Sequence, residues 1–180
     1  MNRIHFKTTT AGLAALMLLC AAVSAADKTL TLDKLFPADR VLDVQITVAV
    51  KDWDRIRRQS RDFVSALHEK RKTEPIDGLY EYVNADVTID GVRFEKVGLR
   101  KKGFIGSQST SRPSLKIKLN HTDKERNIGG LTNLTMNNNK QDGTIVSQYM
   151  GYALFNAAGS PASRCAFAKV TVNGKNLGIY

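Results

Sequence analysis

The sequence has few of the residues from which disulfide frameworks, metal centres and catalytic triads are built. Its 180 residues include only two cysteines, Cys20 and Cys165, so the fold is not stabilised by a framework of several disulfides. The three histidines are His5, His68 and His121, which leaves little material for a zinc site or a histidine-based triad. The nucleophile-elbow, zinc-protease and P-loop motifs are also absent. These absences argue against the common hydrolase, metalloprotease and P-loop classes.

Long apolar runs are also lacking, except near the start of the chain. Basic residues come first, the apolar run Ala11–Val23 follows, and small residues stand at positions 24–26. This order predicts a signal peptide over residues 1–26, cleaved after Ala25 or Ala26. The run is shorter than the roughly 20 residues of a membrane span, so we expect no stable span after cleavage. The alternatives are a permanent anchor, or a lipoprotein modified at Cys20, although Leu19 is not the small residue that such processing takes. We expect a periplasmic, extracellular or cell-surface protein.

The charge is strongly positive. Lysine and arginine total 27 against 17 acidic residues, a net charge of +10 that favours phosphates and anionic polymers as partners. Many of the bases fall on a predicted amphipathic helix over Asp52–Lys72. We interpret them as a solvated face and expect no nucleic-acid partner.

Periodicity predicts an α+β fold over residues 41–180, preceded by an irregular lead-in over residues 27–40. We expect a mostly antiparallel sheet of hairpins with two helices packed against it. Asp90-Gly91 and Asn173-Gly174 are typical of two-residue hairpin turns. The other predicted elements are a strand over Val41–Val50, a β region over Tyr80–Arg100, strands over Ser114–Asn120 and Cys165–Val172, and helices over Asp52–Lys72 and Thr144–Ala158.

The end of the sequence indicates an incomplete domain. Only Lys175–Tyr180 follow the Asn173-Gly174 turn, so we expect the strand edge at Val170–Val172 to lack a full partner. We therefore interpret the chain as the N-terminal piece of a longer protein.

A candidate phosphate site lies in the middle of the chain. A loop predicted over Lys101–Pro113 is rich in glycine, hydroxyl and basic side chains, and it precedes a strand whose period of two places Lys116 and Lys118 opposite the apolar face. Backbone N–H groups of such a loop can approach phosphate oxygens, and a lysine on the next strand adds a point charge. The alternative is an ordinary solvated basic loop.

Six segments taken together resemble the CotH family of secretory kinase-like proteins, named for a spore-coat protein. The resemblance extends over about residues 40–180. The segments are Val97–Gly103, Arg112–Asn120, Leu134–Asp142, Tyr152–Phe155, Ala157–Arg164 and Val170–Tyr180.

The resemblance implies an atypical protein-kinase-like fold that transfers phosphate from ATP to serines of secreted, surface or coat proteins, with a divalent metal, Mg²⁺ or Mn²⁺. Arg100 and Gly103 match the family's Arg-x-[Arg/Lys]-Gly turn, which Ser107 follows, and Lys116 or Lys118 matches its lysine strand. We choose Lys118 for the nucleotide phosphate. The family's acidic residues, similar to kinase catalytic and metal-binding aspartates, match positions beyond Tyr180, so we assign no catalytic residue.

The sequence departs from the family pattern at two places. Phe104–Ser107 stand where the spore-coat branch usually has Asn-Ser-Ser, and Ser147-Gln148 stand where the helix often carries Arg-Glu. A glutamine cannot form the lysine–glutamate ion pair of protein kinases. A second hypothesis is therefore a non-catalytic extracytoplasmic module that binds an anionic polymer or a surface-assembly partner.

Overall fold

The structure is a computed structural model that describes residues 29–62, 64, 80–104 and 106–180. Its strands are β1 (Leu42–Val48), β2 (Val83–Ile89), β3 (Val92–Lys102), β4 (Ser114–Lys118), β5 (Asn133–Met136), β6 (Ala168–Val172) and β7 (Lys175–Ile179). Its helices are α1 (Leu32–Leu35), α2 (Val50–Arg58) and α3 (Ser147–Ala157). The predicted α+β class is confirmed.

The seven strands form one sheet in the order β5-β4-β3-β2-β1-β6-β7. All neighbouring pairs are antiparallel except β1 and β6, which pair in parallel from Leu42 with Ala168 to Ile46 with Val172. Both predicted hairpin turns are confirmed. Asp90 and Gly91 have φ of 48° and 84°, and Asn173 and Gly174 have φ of 48° and 79°, as a type I′ turn requires.

The core lies on one face of this sheet. Alternate residues of β1, β4 and β6 are buried, which is the period of two expected of strands with one covered face. Ile56 of α2 is fully buried with them, and Trp53 packs against the same core. The hydroxyl of Tyr180, the residue after β7, donates to the carbonyl of Pro113, the residue before β4, at 3.0 Å. The end of β7 therefore contacts the chain just before β4.

The structure corrects both predicted boundaries of the first long helix. Helix α2 begins at Val50, with Ala49 rather than Asp52 at its N-cap, and it ends at Arg58 instead of continuing without a break to Lys72. The extended backbone of Gln59 ends it, with φ of −56° and ψ of 137°. The part of the prediction that falls on positions 63 and 65–79, and the signal peptide, lie outside the described residues.

The edge predicted at Val170–Val172 is also wrong, because β6 lies between β1 and β7 and is paired on both sides. β7 pairs with β6 from Lys169 to Val172, and Tyr180 continues the pairing at Ala168. Helix α3 begins three residues later than predicted and ends as predicted, before Gly159, whose φ is 78°. No helix in the described part of the chain has the length and apolar character to cross a membrane.

Candidate anion-binding site

Four basic side chains share the face of the sheet that is turned away from the core. Arg100 lies directly opposite Lys116 in the β3–β4 register, and Lys102 lies opposite Ser114. Lys118, two residues after Lys116, lies on the same face because side chains alternate along a strand. Their intervening neighbours Leu99, Leu115 and Ile117 are fully buried on the other face. We call Arg100, Lys102, Lys116 and Lys118 the cationic face.

The charges of the cationic face are not neutralised within the described part of the protein. None of its four members forms an ion pair there. Burial lowers the pKa of Lys102, and the positive charges of Arg100 and Lys116 lower it further. An anion placed among these residues would relieve their mutual repulsion.

Tyr82 positions two members of this face. The guanidinium of Arg100 lies 5.3 Å from the centre of the Tyr82 ring, and the ammonium of Lys118 lies 5.9 Å from it. Both distances are in the range of cation–π attraction. The His121 ring contacts the Tyr82 ring as well, with 5.6 Å between the ring centroids. The aromatic residue therefore holds Arg100 and Lys118 close together.

Gly98 makes this arrangement possible, since it lies beneath the two rings. A Cβ at this position would be 2.8 Å from Cγ of His121 and 2.9 Å from Cδ1 of Tyr82. The absence of a side chain is therefore required for the rings to approach the strand. The roles of Tyr82, Gly98 and His121 depend on contacts between separate segments, which periodicity along the chain does not reveal.

Gly103 and Ser107 form the turn that follows β3. Gly103 has φ of 123°, and a Cβ there would be 2.7 Å from Oγ of Ser107. The Ser107 hydroxyl accepts a hydrogen bond from the Phe104 amide at 3.0 Å and contacts the Phe104 carbonyl oxygen at 3.2 Å. The structure therefore gives both residues a role in shaping the turn, next to Lys102 but separate from the row of Arg100, Lys116 and Lys118.

Asn138 joins this turn to the sheet. It is 1% exposed, and its side-chain amide donates to the carbonyls of Ser107 at 2.9 Å and Arg112 at 2.8 Å. Its backbone amide donates to Oγ of Ser114 at 3.0 Å. Since Ser114 lies opposite Lys102, these bonds fix the turn relative to the cationic face.

The extent of the basic loop is a further correction. Lys101 and Lys102, predicted as loop residues, are the last two residues of β3. Lys101 points to the core side, is 1% exposed, and donates from Nζ to the Arg57 carbonyl near the end of α2 at 2.9 Å. Burial lowers its pKa. Lys101 therefore supports the helix and is not available on the cationic face.

A cavity of about 730 Å³ lies beside the cationic face. Lys102 is the one member of the face that lines it. Its volume is in the range of sites for small organic ligands. Its apolar wall comes from α1, β5 and neighbouring segments: Leu32, Leu35, Phe36, Leu42, Leu131, Leu134, Met136, Tyr152, Ala166 and Ala168. Asn133, Thr135, Gln148 and Cys165 also line it, and none of its described lining residues is a carboxylate.

Gln148 lies in the cavity wall at the start of α3. Its Oε1 accepts a hydrogen bond from Nδ2 of Asn137 at 2.5 Å. Oδ1 of Asn137 in turn accepts from the Ser114 hydroxyl at 3.3 Å. Gln148 thus stands where the lysine–glutamate pair would need a carboxylate, and its side chain is bonded to the amide of Asn137 instead.

The described residues hold no group of three or more histidine, cysteine or acidic side chains that could bind a metal ion. Two aspartates of the β2–β3 hairpin form ion pairs with arginines instead. Asp86 pairs with Arg93 at 2.8 Å and Asp90 with Arg40 at 2.5 Å.

Comparison with models of known protein families gives a match. Residues 99–180 match a family model described as CotH kinase protein. This stretch begins within β3 and includes Arg100, Lys102, Lys116 and Lys118, so it contains the whole cationic face. The comparison with curated proteins finds no match. The predicted family resemblance is thus confirmed over residues 99–180.

Proposed function

We propose that this chain, in which residues 99–180 match the family model described as CotH kinase protein, is the nucleotide-phosphate-binding part of an exported kinase-like protein. The parent protein would transfer phosphate from ATP to serines of secreted or surface proteins. The observation that carries the proposal is the register that places Arg100 opposite Lys116 on a face with Lys102 and Lys118.

The chemistry of these four residues suits a polyphosphate. Each ammonium donates hydrogen bonds as a compact point charge, and the planar guanidinium of Arg100 can hold two phosphate oxygens at once. Several phosphate oxygens would therefore find charged donors along one side of β3 and β4. ATP supplies the transferable phosphoryl group, and the role of this chain is to bind and orient it.

A divalent metal belongs to the proposed reaction of the parent protein. The described residues do not fit such an ion, because the acidic side chains near the hairpin are engaged with arginines and no cluster of ligands is present among them. We therefore assign no metal ligand in this chain and derive no step through the metal. The proposed contribution of residues 99–180 is phosphate binding alone.

Binding of an anionic polymer is the competing function. The net charge of +10 supports it, because a broad positive field attracts polyanions without a defined site. Lys169 of β6 is exposed and separated from β4 by three strands. It therefore provides a matched control for a general effect of charge.

The experiment is to titrate ATP into a protein that contains this chain and to measure the binding by calorimetry at low and at moderate salt. Lys118→Ala should weaken ATP binding by about 1–3 kcal/mol, the range for a lost charge-assisted hydrogen bond. Lys169→Ala should have little effect. Equal losses in both variants, abolished by salt, would instead indicate a diffuse field and the polymer-binding function.

A further inference from the structure

The longest uncharged stretch of the chain contains helix α3. Residues 143–163 include no lysine, arginine, aspartate or glutamate, although 27 bases and 17 acids are distributed over the 180 residues. The stretch includes the whole of α3 and the turns on either side of it. Charge is therefore absent from this part of a chain that is otherwise strongly basic.

Helix α3 also exposes most of its large apolar side chains. None of its residues is buried. Met150, Leu154 and Phe155 are 63%, 69% and 55% exposed, and Val146, just before the helix, is 36% exposed. These four residues are more than half of the large apolar side chains that the described part of the chain exposes. A concentration of this kind marks an interaction surface.

The exposed side of α3 lies opposite the side that attaches the helix to the fold. The Tyr149 ring stacks on the Phe167 ring with 5.1 Å between the centroids, and Gln148 accepts the hydrogen bond from Asn137. With 3.6 residues per turn, Leu154 lies on the side of the helix turned away from both Gln148 and Tyr149.

Gly151 leaves a notch in the exposed side. It precedes Leu154 by three residues and Phe155 by four, so both side chains are its neighbours on the helix surface. Apart from the helix itself, no atom of the described residues would lie within 4 Å of a Cβ at Gly151. A projecting leucine with an empty position beside it is complementary to a second copy of the same surface. We call Met150, Gly151, Leu154 and Phe155 the α3 face.

We propose that two copies of this chain associate through their α3 faces around a two-fold axis, with the helices antiparallel and Leu154 of each copy packed against Gly151 of the other. In a two-fold contact the same surface is used by both copies, so the notch of each helix receives a side chain of its partner. This inference goes beyond the proposed function and does not depend on phosphate binding.

The charge distribution favours a second copy over other occupants. A two-fold contact brings the same surface of both copies together, so two chains of net charge +10 repel each other unless they meet through an uncharged surface. A different protein partner does not require this neutrality, because its acidic side chains could pair with bases of this chain. A lipid surface favours helices with lysine or arginine on their polar side, and α3 has neither.

Sedimentation velocity over a range of concentrations tests the proposal in a protein that contains this chain. The interface is small, so the dimer should be weak and should form reversibly as the concentration rises. Leu154→Lys should raise the dimer dissociation constant about a hundredfold or more, because each dimer buries this leucine twice. Val50→Lys changes an equally exposed apolar residue on α2, and this matched control should dimerise like the wild type.

Gly151→Leu distinguishes a specific contact from non-specific apolar association. It adds apolar surface but fills the notch, so it should weaken the dimer about tenfold or more. Thermal unfolding confirms that each variant is folded. Stronger association of Gly151→Leu, or equal dimerisation of Leu154→Lys and the wild type, would overturn the inference.

Two further outcomes would assign the α3 face to another occupant. A wild type that stays monomeric at every concentration would overturn the inference, as expected if the remainder of a longer protein covers α3. Cosedimentation with phosphatidylglycerol vesicles that Leu154→Lys abolishes would assign the face to a lipid surface and would overturn it as well. Neither outcome bears on phosphate binding, which calorimetry measures separately.

Discussion

Arg100 and Lys116 lie directly opposite each other on adjacent antiparallel strands, with their side chains on the same face. Like charges in this position repel and lower the stability of a sheet. No acidic side chain compensates either residue within the described ranges 29–62, 80–104 and 106–180. The fold thus keeps an unfavourable pair at the place where an anion would make it favourable.

Lys116→Glu should therefore stabilise the protein and weaken its function. The substitution replaces a repulsive cross-strand pair with an attractive one, which should raise the free energy of unfolding by about 0.5–1 kcal/mol. The same change places a negative charge among the phosphate donors and should abolish ATP binding. Chemical denaturation and calorimetry measure the two effects. Lys169→Glu is the matched control and should leave ATP affinity nearly unchanged; a destabilised Lys116→Glu protein would contradict the account.

Gly98→Ala should disturb the cationic face indirectly. The added methyl group would lie closer than 3 Å to both the His121 and Tyr82 rings, so we expect a loss of about 1–3 kcal/mol of stability from overpacking. Displacement of Tyr82 should also weaken ATP binding through Arg100 and Lys118. The double variant Gly98→Ala, His121→Ala should recover part of the stability, because it removes one of the two clashes. An unchanged melting temperature in the single variant would show that the rings move without cost.

Asp142 should make the stability of α3 depend on pH. Its carboxylate accepts hydrogen bonds from the Thr144 hydroxyl at 2.5 Å and from the Ser147 amide, the first of the helix, at 2.8 Å. These bonds hold the pKa of Asp142 well below its ordinary 3.8. Because the pKa of Asp142 is lower in the folded than in the unfolded protein, its ionised carboxylate stabilises the fold above pH 3.8. This stabilisation is lost as the pH falls below that value.

The measurement is the melting temperature of the wild type and of Asp142→Asn as a function of pH. Asparagine keeps one acceptor oxygen but has no charge, so the wild type should be the more stable protein above pH 3.8. The difference should shrink as the pH falls below that value. A difference that stays constant would mean that the carboxylate bonds add nothing to the stability of the helix start.

Export is a prediction of the sequence alone. The basic, apolar and small-residue order of residues 1–26 predicts a mature protein that begins at Ala26 or Asp27. N-terminal sequencing of exported material measures this directly. A soluble cytoplasmic pool that retains Met1 would contradict it.

The local sequence predicts those elements that are determined by the conformational preferences of neighbouring residues. Asp90-Gly91 adopts the positive φ angles of its turn for its own steric reasons, and the alternation through Leu115 and Ile117 assigns Lys116 and Lys118 to the opposite face. The parallel pairing of β1 with β6 joins segments more than one hundred residues apart, and no local pattern specifies it.

The candidate site was predicted in part for the same reason. Alternation places Lys116 and Lys118 on one face, and the family resemblance indicated Arg100. The register that places Arg100 opposite Lys116 is seen only in the structure. Lys101 and Lys102 belong to a stretch rich in glycine, hydroxyl and basic side chains, a composition that predicts a loop. The signal that could have corrected this is the alternation of Val97 and Leu99, which continues to Lys101 and leaves Lys102 beside Arg100 on the other face. The cavity is lined by residues of α1, β5 and α3, which lie far apart in the sequence.

The most direct test of the central claim is to identify which lysines lie beside bound ATP. An acyl-phosphate derivative of ATP transfers its acyl group to lysine amines near the phosphates, and peptide mass spectrometry then locates the labelled residues. The account predicts preferential labelling of Lys102, Lys116 and Lys118, suppressed by excess ATP, with Lys169 and Lys175 labelled weakly and without competition. Equal labelling of all five lysines, insensitive to ATP, would show that the cationic face is not a nucleotide site.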